Sequence, residues 1–286
     1  MAGPRATWRA HAGGVTPGRA KPLVADISGQ GHPVVLLHGQ PGTAGDWAAV
    51  RRELEQDHLV VAPDRPGYGR TGGRAAGFLA NAEQVAELMD RLDLGPAVVV
   101  GHSWGGGVAL ALALAYPERV CGVVLVASVS PFEPAGHLDR LLARPLVGRA
   151  LVAASLSTVG RLLSWGPGRA FAGWRLRSQP HQQIEELARS WRRPATWASF
   201  AVEQRALVHE LPVMATLMGA AAGPFLVLTG SLDRVVPVPT ARRLAARLPA
   251  ARLETVVGAG HLLPQMHPGA VAHWTRQICP GTAAAV

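Results

Sequence analysis

The sequence predicts an α/β protein: a mostly parallel sheet flanked by helices and interrupted by a helical insertion. Three observations carry this. Six short apolar runs alternate with stretches of helical periodicity. One run passes through a Gly-x-Ser-x-Gly turn straight into a helical stretch. Across residues 131–223 the apolar runs stop, and Leu, Ala, Arg and Trp recur at helical spacing instead.

Taken in order, residues 1–19 are rich in Arg, Gly and Ala and contain no apolar h-region, so a secretory leader is not expected. Residues 23–27 are the best candidate for an antiparallel first strand. Residues 33–37 (PVVLL) form a buried strand closed by His38-Gly39, and residues 58–62 (HLVVA) a second closed by Pro63 and Asp64. Residues 81–92 place apolar side chains at 82, 85, 86, 88, 89 and 92, the pattern of a helix against a core. Residues 97–100 (AVVV) are the third strand. Residues 104–115 are almost wholly apolar, as a helix packed on a sheet should be. Strands at 120–126, 225–229 and 253–257 and helices at 240–248 and 270–278 complete the alternation. The predicted organisation is a core of residues 1–130 and 224–286 with a helical cap at 131–223. The cap would lie over the C-terminal edge of the sheet, where open α/β sheets bind ligands.

Composition narrows the function. At 286 residues and 48% hydrophobic, the chain has enough apolar surface for a large core, and 16% charged residues argue against disorder. The formal net charge is +9, but Lys21 is the only lysine, which reads as arginine replacing lysine throughout. No basic run of five residues and no basic-aromatic interleaving occurs, so nucleic acid is not an expected partner. Cys121 and Cys279 are too few and too far apart for a disulfide framework or a metal site, which fits a reducing, cytoplasmic compartment. No uninterrupted stretch of 18 apolar residues occurs, so no spanning helix is expected.

The chemistry gathers at loops that follow strands. In Gly101-His102-Ser103-Trp104-Gly105 the turn between strand and helix is sharp, small residues let the two approach, and the serine oxygen is lifted above the sheet. A serine hydroxyl needs a base to take its proton, and histidine has the suitable pKa. His261, in Gly258-Ala259-Gly260-His261 after the last strand, is the candidate, with His267 and His273 as rivals. Asp233, after the strand at 225–229, is the acid that would orient the histidine, although a turn-forming aspartate suits the same position. The loop after residues 120–126 offers only Ser128 and Ser130 before Glu133. An oxyanion formed on attack needs two backbone N–H donors. Trp104, next after Ser103, and Gln40, in the loop after the strand at 33–37, are the candidates.

Five segments, HGQPG (38–42), DRPGYGRT (64–71), GHSWGG (101–106), GSLDRVVP (230–237) and GAGH (258–261), resemble the α/β-hydrolase superfamily in order and spacing. The resemblance covers about residues 22–130 and 224–280. It implies an eight-stranded, mostly parallel sheet, a Ser103–Asp233–His261 triad, and Gln40 and Trp104 as oxyanion donors. It gives residues 64–69 only a structural role. Haloalkane dehalogenases and epoxide hydrolases of this superfamily use an aspartate nucleophile, and epoxide hydrolases also use cap tyrosines. Here position 103 is serine, and Tyr68 and Tyr116 both fall outside the insertion. The implied activity is hydrolysis of an ester or related acyl bond, with no metal or organic cofactor. The alternatives are C–C cleavage, lyase, transferase or cyclisation chemistry with the same triad, and a receptor that binds without turnover.

Within the insertion, residues 137–165 alternate Leu-rich and Arg-bearing positions, and Pro145 and Gly148 are expected to split them into two short helices. Either the apolar side packs on the core, or it lines an acyl site or rests weakly on anionic lipid. Trp165, Trp174, Trp191 and Trp197 are large side chains suited to packing or to the pocket. The small number of charges near the motifs suggests a mostly hydrophobic small-molecule substrate. Oligomeric state is left open.

Overall fold

The computed structural model describes residue 8 and residues 21–168, 170, 181–221 and 223–278. Its strands are β1 (Ala25–Ser28), β2 (His32–Leu37), β3 (His58–Pro63), β4 (Ala97–His102), β5 (Val120–Val126), β6 (Phe225–Gly230) and β7 (Ala251–Val256). They form one sheet in the order β1-β3-β2-β4-β5-β6-β7. Only β1 runs antiparallel to its neighbour, pairing Ala25 with Pro63. The other pairs are parallel, with Val34 opposite both Val60 and Val98.

The central strands read as continuous Val and Leu because helices cover both faces. Side chains alternate between those faces. Val35, Leu37, Val99, Val123, Leu125 and Val227 pack under α2 (Phe78–Arg91), α3 (Trp104–Ala115) and α9 (Val238–Arg247). Val34, Leu36, Val98, Val100, Val124 and Leu226 pack under α1 (Ala48–Leu54) and α11 (Pro268–Ile278). The chain leaves β2 toward β3 and returns across it to β4. The helices after β2 and β4, α1 and α3, therefore lie on opposite faces, and the loops leading to them part at a crevice. Open sheets of this kind bind their ligands at that switch point.

The expected alternation holds, with shifted boundaries. The helix expected at 240–248 starts at Val238, and the one expected at 270–278 starts at Pro268. Proline fits the first turn because its missing N–H would have no intrahelical partner there. The last strand ends one residue earlier than its apolar run suggested. The eight-stranded expectation is corrected to seven strands among the described residues. β1 is the edge strand, and residues 9–20, which precede it, lie outside the described residues.

Between β5 and β6 the described residues form helices and no strand: α4 (His137–Leu142), α5 (Pro145–Ser164), α6 (His181–Trp191), α7 (Pro194–His209) and α8 (Leu211–Leu217). After β7 a short helix, α10 (Leu263–Met266), precedes α11. Residues 137–165 split into two helices as expected, with the break just before Pro145, but Gly148 does not interrupt α5, which runs for 20 residues instead of being short. Gly148 is kept because a Cβ there would strike the Leu142 carbonyl at the end of α4. By length and composition alone α5 is long and apolar enough to cross a membrane, although arginines interrupt its apolar run. Cys121 is partly buried, with its thiol 3.2 Å from His32 Nε2. Cys279 lies outside the described residues.

Candidate active site

Ser103 sits between β4 and α3 with φ 52° and ψ −118°, a conformation costly for a residue with a side chain. The surroundings enforce it. Its N–H donates to Val126 O at 2.9 Å, and its carbonyl accepts from Val129 N at 3.2 Å and Gly106 N at 3.0 Å. A Cβ on Gly105 would run into the carbonyls of Leu37 and His38, so only glycine lets α3 start this close to β2.

The loop after β7 delivers His261 above that turn. Its Nε2 lies 3.1 Å from Ser103 Oγ, and its Nδ1 lies 2.9 Å from Asp233 Oδ2. With Nδ1–H donating to the carboxylate, Nε2 is left to accept the serine proton. Asp233, in the loop after β6, is buried, and its other oxygen accepts from Val235 N at 2.8 Å and Val236 N at 2.9 Å. Burial pushes its carboxyl up, but the His261 hydrogen bond, the His261 charge and the two N–H groups outweigh that and hold it below the ordinary range. The rivals lie elsewhere: His267 closes α10, and the His273 ring packs on Trp274.

Trp104 is the first residue of α3, so no carbonyl of its own helix can accept its N–H. The loop after β2 comes over the serine from the other side: a Cβ on Gly39 would sit 3.2 Å from Ser103 Cβ. Gln40 follows, joined to Pro41 by a cis peptide, and its side chain donates to Phe200 O on α7 at 2.8 Å. Trp191 Nε1 donates to Pro41 O at 3.1 Å, and Trp197 Nε1 to Trp191 O at 2.8 Å. Two of the four tryptophans singled out in the insertion thus brace this loop. Trp165 is exposed, and Trp174 lies outside the described residues.

Sequence reasoning missed a buried cluster behind the serine. Arg65, in the loop after β3, is fully buried. Its Nε donates to His38 O at 2.9 Å, its Nη2 to Gly39 O at 2.9 Å, and its Nη1 to Glu203 Oε1 on α7. Tyr68 OH donates to the other Glu203 oxygen at 2.8 Å. The guanidinium lies 4.5 Å from the centre of the Trp104 ring, whose Nε1 donates to Glu203 O at 3.2 Å. Burial raises the Glu203 carboxyl, opposed by Arg65. The DRPGYG segment marked the loop, but nothing local linked it to a glutamate 138 residues away.

Two neighbouring histidines are held neutral. Burial, then the Arg65 charge, keep His38 well below its ordinary pKa; its Nε2 accepts from Arg65 N–H at 2.9 Å. Burial, then His261, bring His102 to about 3, and its Nε2–H donates to the His261 carbonyl at 2.9 Å, fixing that loop. Asp46 is partly buried beside the loop after β2. Burial raises it to about 7, against hydrogen bonds from Thr43 N–H and Gln265 and despite Arg65; Asp64 adds to the rise. Among the described residues no three His, Cys, Asp or Glu side chains converge as a metal would require.

Comparison with known proteins shows the family to which this fold belongs. Residues 32–266 match the family described as the alpha/beta hydrolase fold. The chain is 30% identical over 254 residues to a 2-hydroxy-6-oxo-2,4-heptadienoate hydrolase of Pseudomonas putida, covering 82% of this chain and 83% of that one. It is 28% identical over 248 residues to an uncharacterised protein of Mycobacterium tuberculosis, covering 82% of this chain and 71% of that protein. Among solved structures, it is similar to an esterase of Thermogutta terrifontis, with 27% identity, a TM-score of 0.69, and coverage of 89% of this chain and 92% of that chain.

Proposed function

Because the chain belongs to the α/β-hydrolase family and is an enzyme of hydrolase type, we propose that it cleaves an ester or related acyl bond of a mostly hydrophobic, uncharged small molecule. One observation carries the reading: a single imidazole bridges Ser103 Oγ and the Asp233 carboxylate. Ser103 attacks the carbonyl as His261 takes its proton. Asp233 holds the imidazole and stabilises its charged form. The oxyanion is received by the N–H groups of Trp104 and Gln40. His261 then gives its proton to the leaving group, and a water activated by the same imidazole releases the acyl group.

The charges near the serine favour a neutral substrate. Arg65, the cation that touches the oxyanion loop, is spent on Glu203 and on two carbonyls. His38 and His102 are held uncharged by burial. A second reading, hydrolysis of a C–C bond next to a ketone, draws support from the similarity to the 2-hydroxy-6-oxo-2,4-heptadienoate hydrolase of Pseudomonas putida. The same serine and base would serve it.

The deciding experiment labels the protein with a fluorophosphonate, maps the modified peptide, and then compares p-nitrophenyl esters of increasing acyl length with vinylogous β-diketo acids. Labelling at Ser103 with turnover of the esters is the expected result. Labelling elsewhere would overturn the site, and turnover of the diketo acids alone would move the reaction to C–C cleavage.

A further inference from the structure

Helix α5 is exposed in an unusual way. It is long and apolar enough to span a bilayer, yet only 17% of its apolar window is buried. Its inner side is defined by Gly148, Val152 and Gly160, which are buried. A Cβ on Gly160 would meet Ala188 O and the Arg192 side chain, at α6 and just beyond it. The opposite stripe, at steps of three and four residues, is Val147, Leu151, Ala154, Thr158, Leu162 and Trp165, the last just past the helix end. All six are exposed and none is charged. A solvent-facing stripe ordinarily carries the polar and charged residues of its helix. Val147, 48% exposed, and Trp165, 63% exposed, show that nothing in the described fold covers its two ends.

The surrounding charge says what would cover it. The described residues of 137–168 and 181–193 contain seven arginines and three acidic residues, an excess of positive charge around this helix. Arg140, Arg144, Arg149 and Arg161 are exposed on α5 or at its approach. A nucleic acid would pair with these arginines but leave the aliphatic stripe in water. An apolar protein partner would bury the stripe but leave the charge without a counterpart. An anionic bilayer satisfies both: aliphatic side chains enter the acyl boundary, guanidinium groups meet phosphates, and an indole sits at the headgroup level. α5 packs on α6 and α7, and α7 reaches down to the oxyanion loop through Glu203 and Phe200. The stripe is therefore the outer layer of the insertion.

We propose that α5 docks the protein on the surface of an anionic membrane, lying in the plane of the interface. The test is flotation of the purified full chain with vesicles of phosphatidylglycerol and phosphatidylcholine, and with phosphatidylcholine alone, at low and high salt. The expected result is at least tenfold stronger partitioning onto the anionic vesicles, weakened by salt and reduced at least tenfold by Val147→Glu with Leu162→Glu. Both positions are exposed, so circular dichroism and hydrolysis of a soluble short-chain ester should be unchanged in that variant. Three results would overturn the proposal: no preference for anionic vesicles, partitioning that the double substitution leaves intact, or a dimer in sedimentation velocity that the same substitution dissolves. The last would assign the stripe to a second copy of the chain.

Discussion

The guanidinium of Arg65 and the carboxylate of Glu203 meet with neither side chain exposed, joining the loop after β3 to helix α7 of the insertion. Arg65 also holds the carbonyls of His38 and Gly39, the two residues before Gln40. An ion pair in this position ties the geometry of the oxyanion loop to the seating of the insertion. Removing one partner of such a pair leaves a buried charge without a counterpart. Glu203→Leu is expected to cost about 3–5 kcal/mol of stability, and Arg65→Met in the same chain to restore part of it. Turnover should not be restored, because the His38 and Gly39 carbonyls lose their donor. Urea midpoints report the first effect. A fall in kcat of at least tenfold with little change in KM reports the second, and wild-type kcat in the double variant would deny Arg65 a positioning role.

Ser103 is held at positive φ. Ser103→Ala should reduce turnover by several orders of magnitude while leaving the fold intact. Ser103→Gly should be equally inactive and more stable than Ser103→Ala by about 1 kcal/mol, since glycine adopts this conformation without strain. Thermal unfolding of the two inactive variants measures the strain directly.

Asp233 accepts three hydrogen bonds, one from His261 and two from the backbone. Asparagine at 233 would keep an acceptor for the backbone N–H groups but would favour the wrong histidine tautomer. By analogy with other triads, Asp233→Asn should lower kcat about 10³- to 10⁴-fold. Steady-state kinetics showing a loss below tenfold would place the orienting acid elsewhere.

The Asp46 carboxyl, raised by burial to about 7, binds its proton more tightly in the folded chain than in the unfolded one. Its contribution is complete below the unfolded value near ~4 and is lost as pH rises through about 7. Asp46→Asn should therefore flatten the decline in stability between roughly pH 4 and 7, by on the order of 2–4 kcal/mol relative to the parent chain. Urea unfolding of both chains across that range gives the comparison. A parallel pair of pH profiles would mean Asp46 ionises normally.

The parts of the site that could be read from the sequence are those that follow local rules. GHSWGG announces a turn that only small residues permit. His261 and Asp233 stand just after apolar runs, so the ends of strands β6 and β7 give their positions. Arg65, Glu203 and His102 were missed because their partners come from other elements: Glu203 from α7 to the loop after β3, and the His261 carbonyl to His102. Periodicity within one segment carries no trace of such a pairing. The continuity of α5 was missed for a related reason. Glycine at 148 disfavours a helix by about 1 kcal/mol, and the close approach of Leu142 that makes glycine necessary there is a tertiary fact.

The insertion grips the loop bearing Gln40 directly at two places, the Phe200 carbonyl on the Gln40 amide and the Trp191 indole on the Pro41 carbonyl, and at a third through Arg65, which Glu203 holds against the His38 and Gly39 carbonyls. Lifting α7 away would pull on the very backbone that receives negative charge during the reaction. Admission of a reactant and readiness to transform it would then be opposed. A reactant must then reach Ser103 with the insertion still seated, so rigidity here serves the chemistry at the expense of easy access.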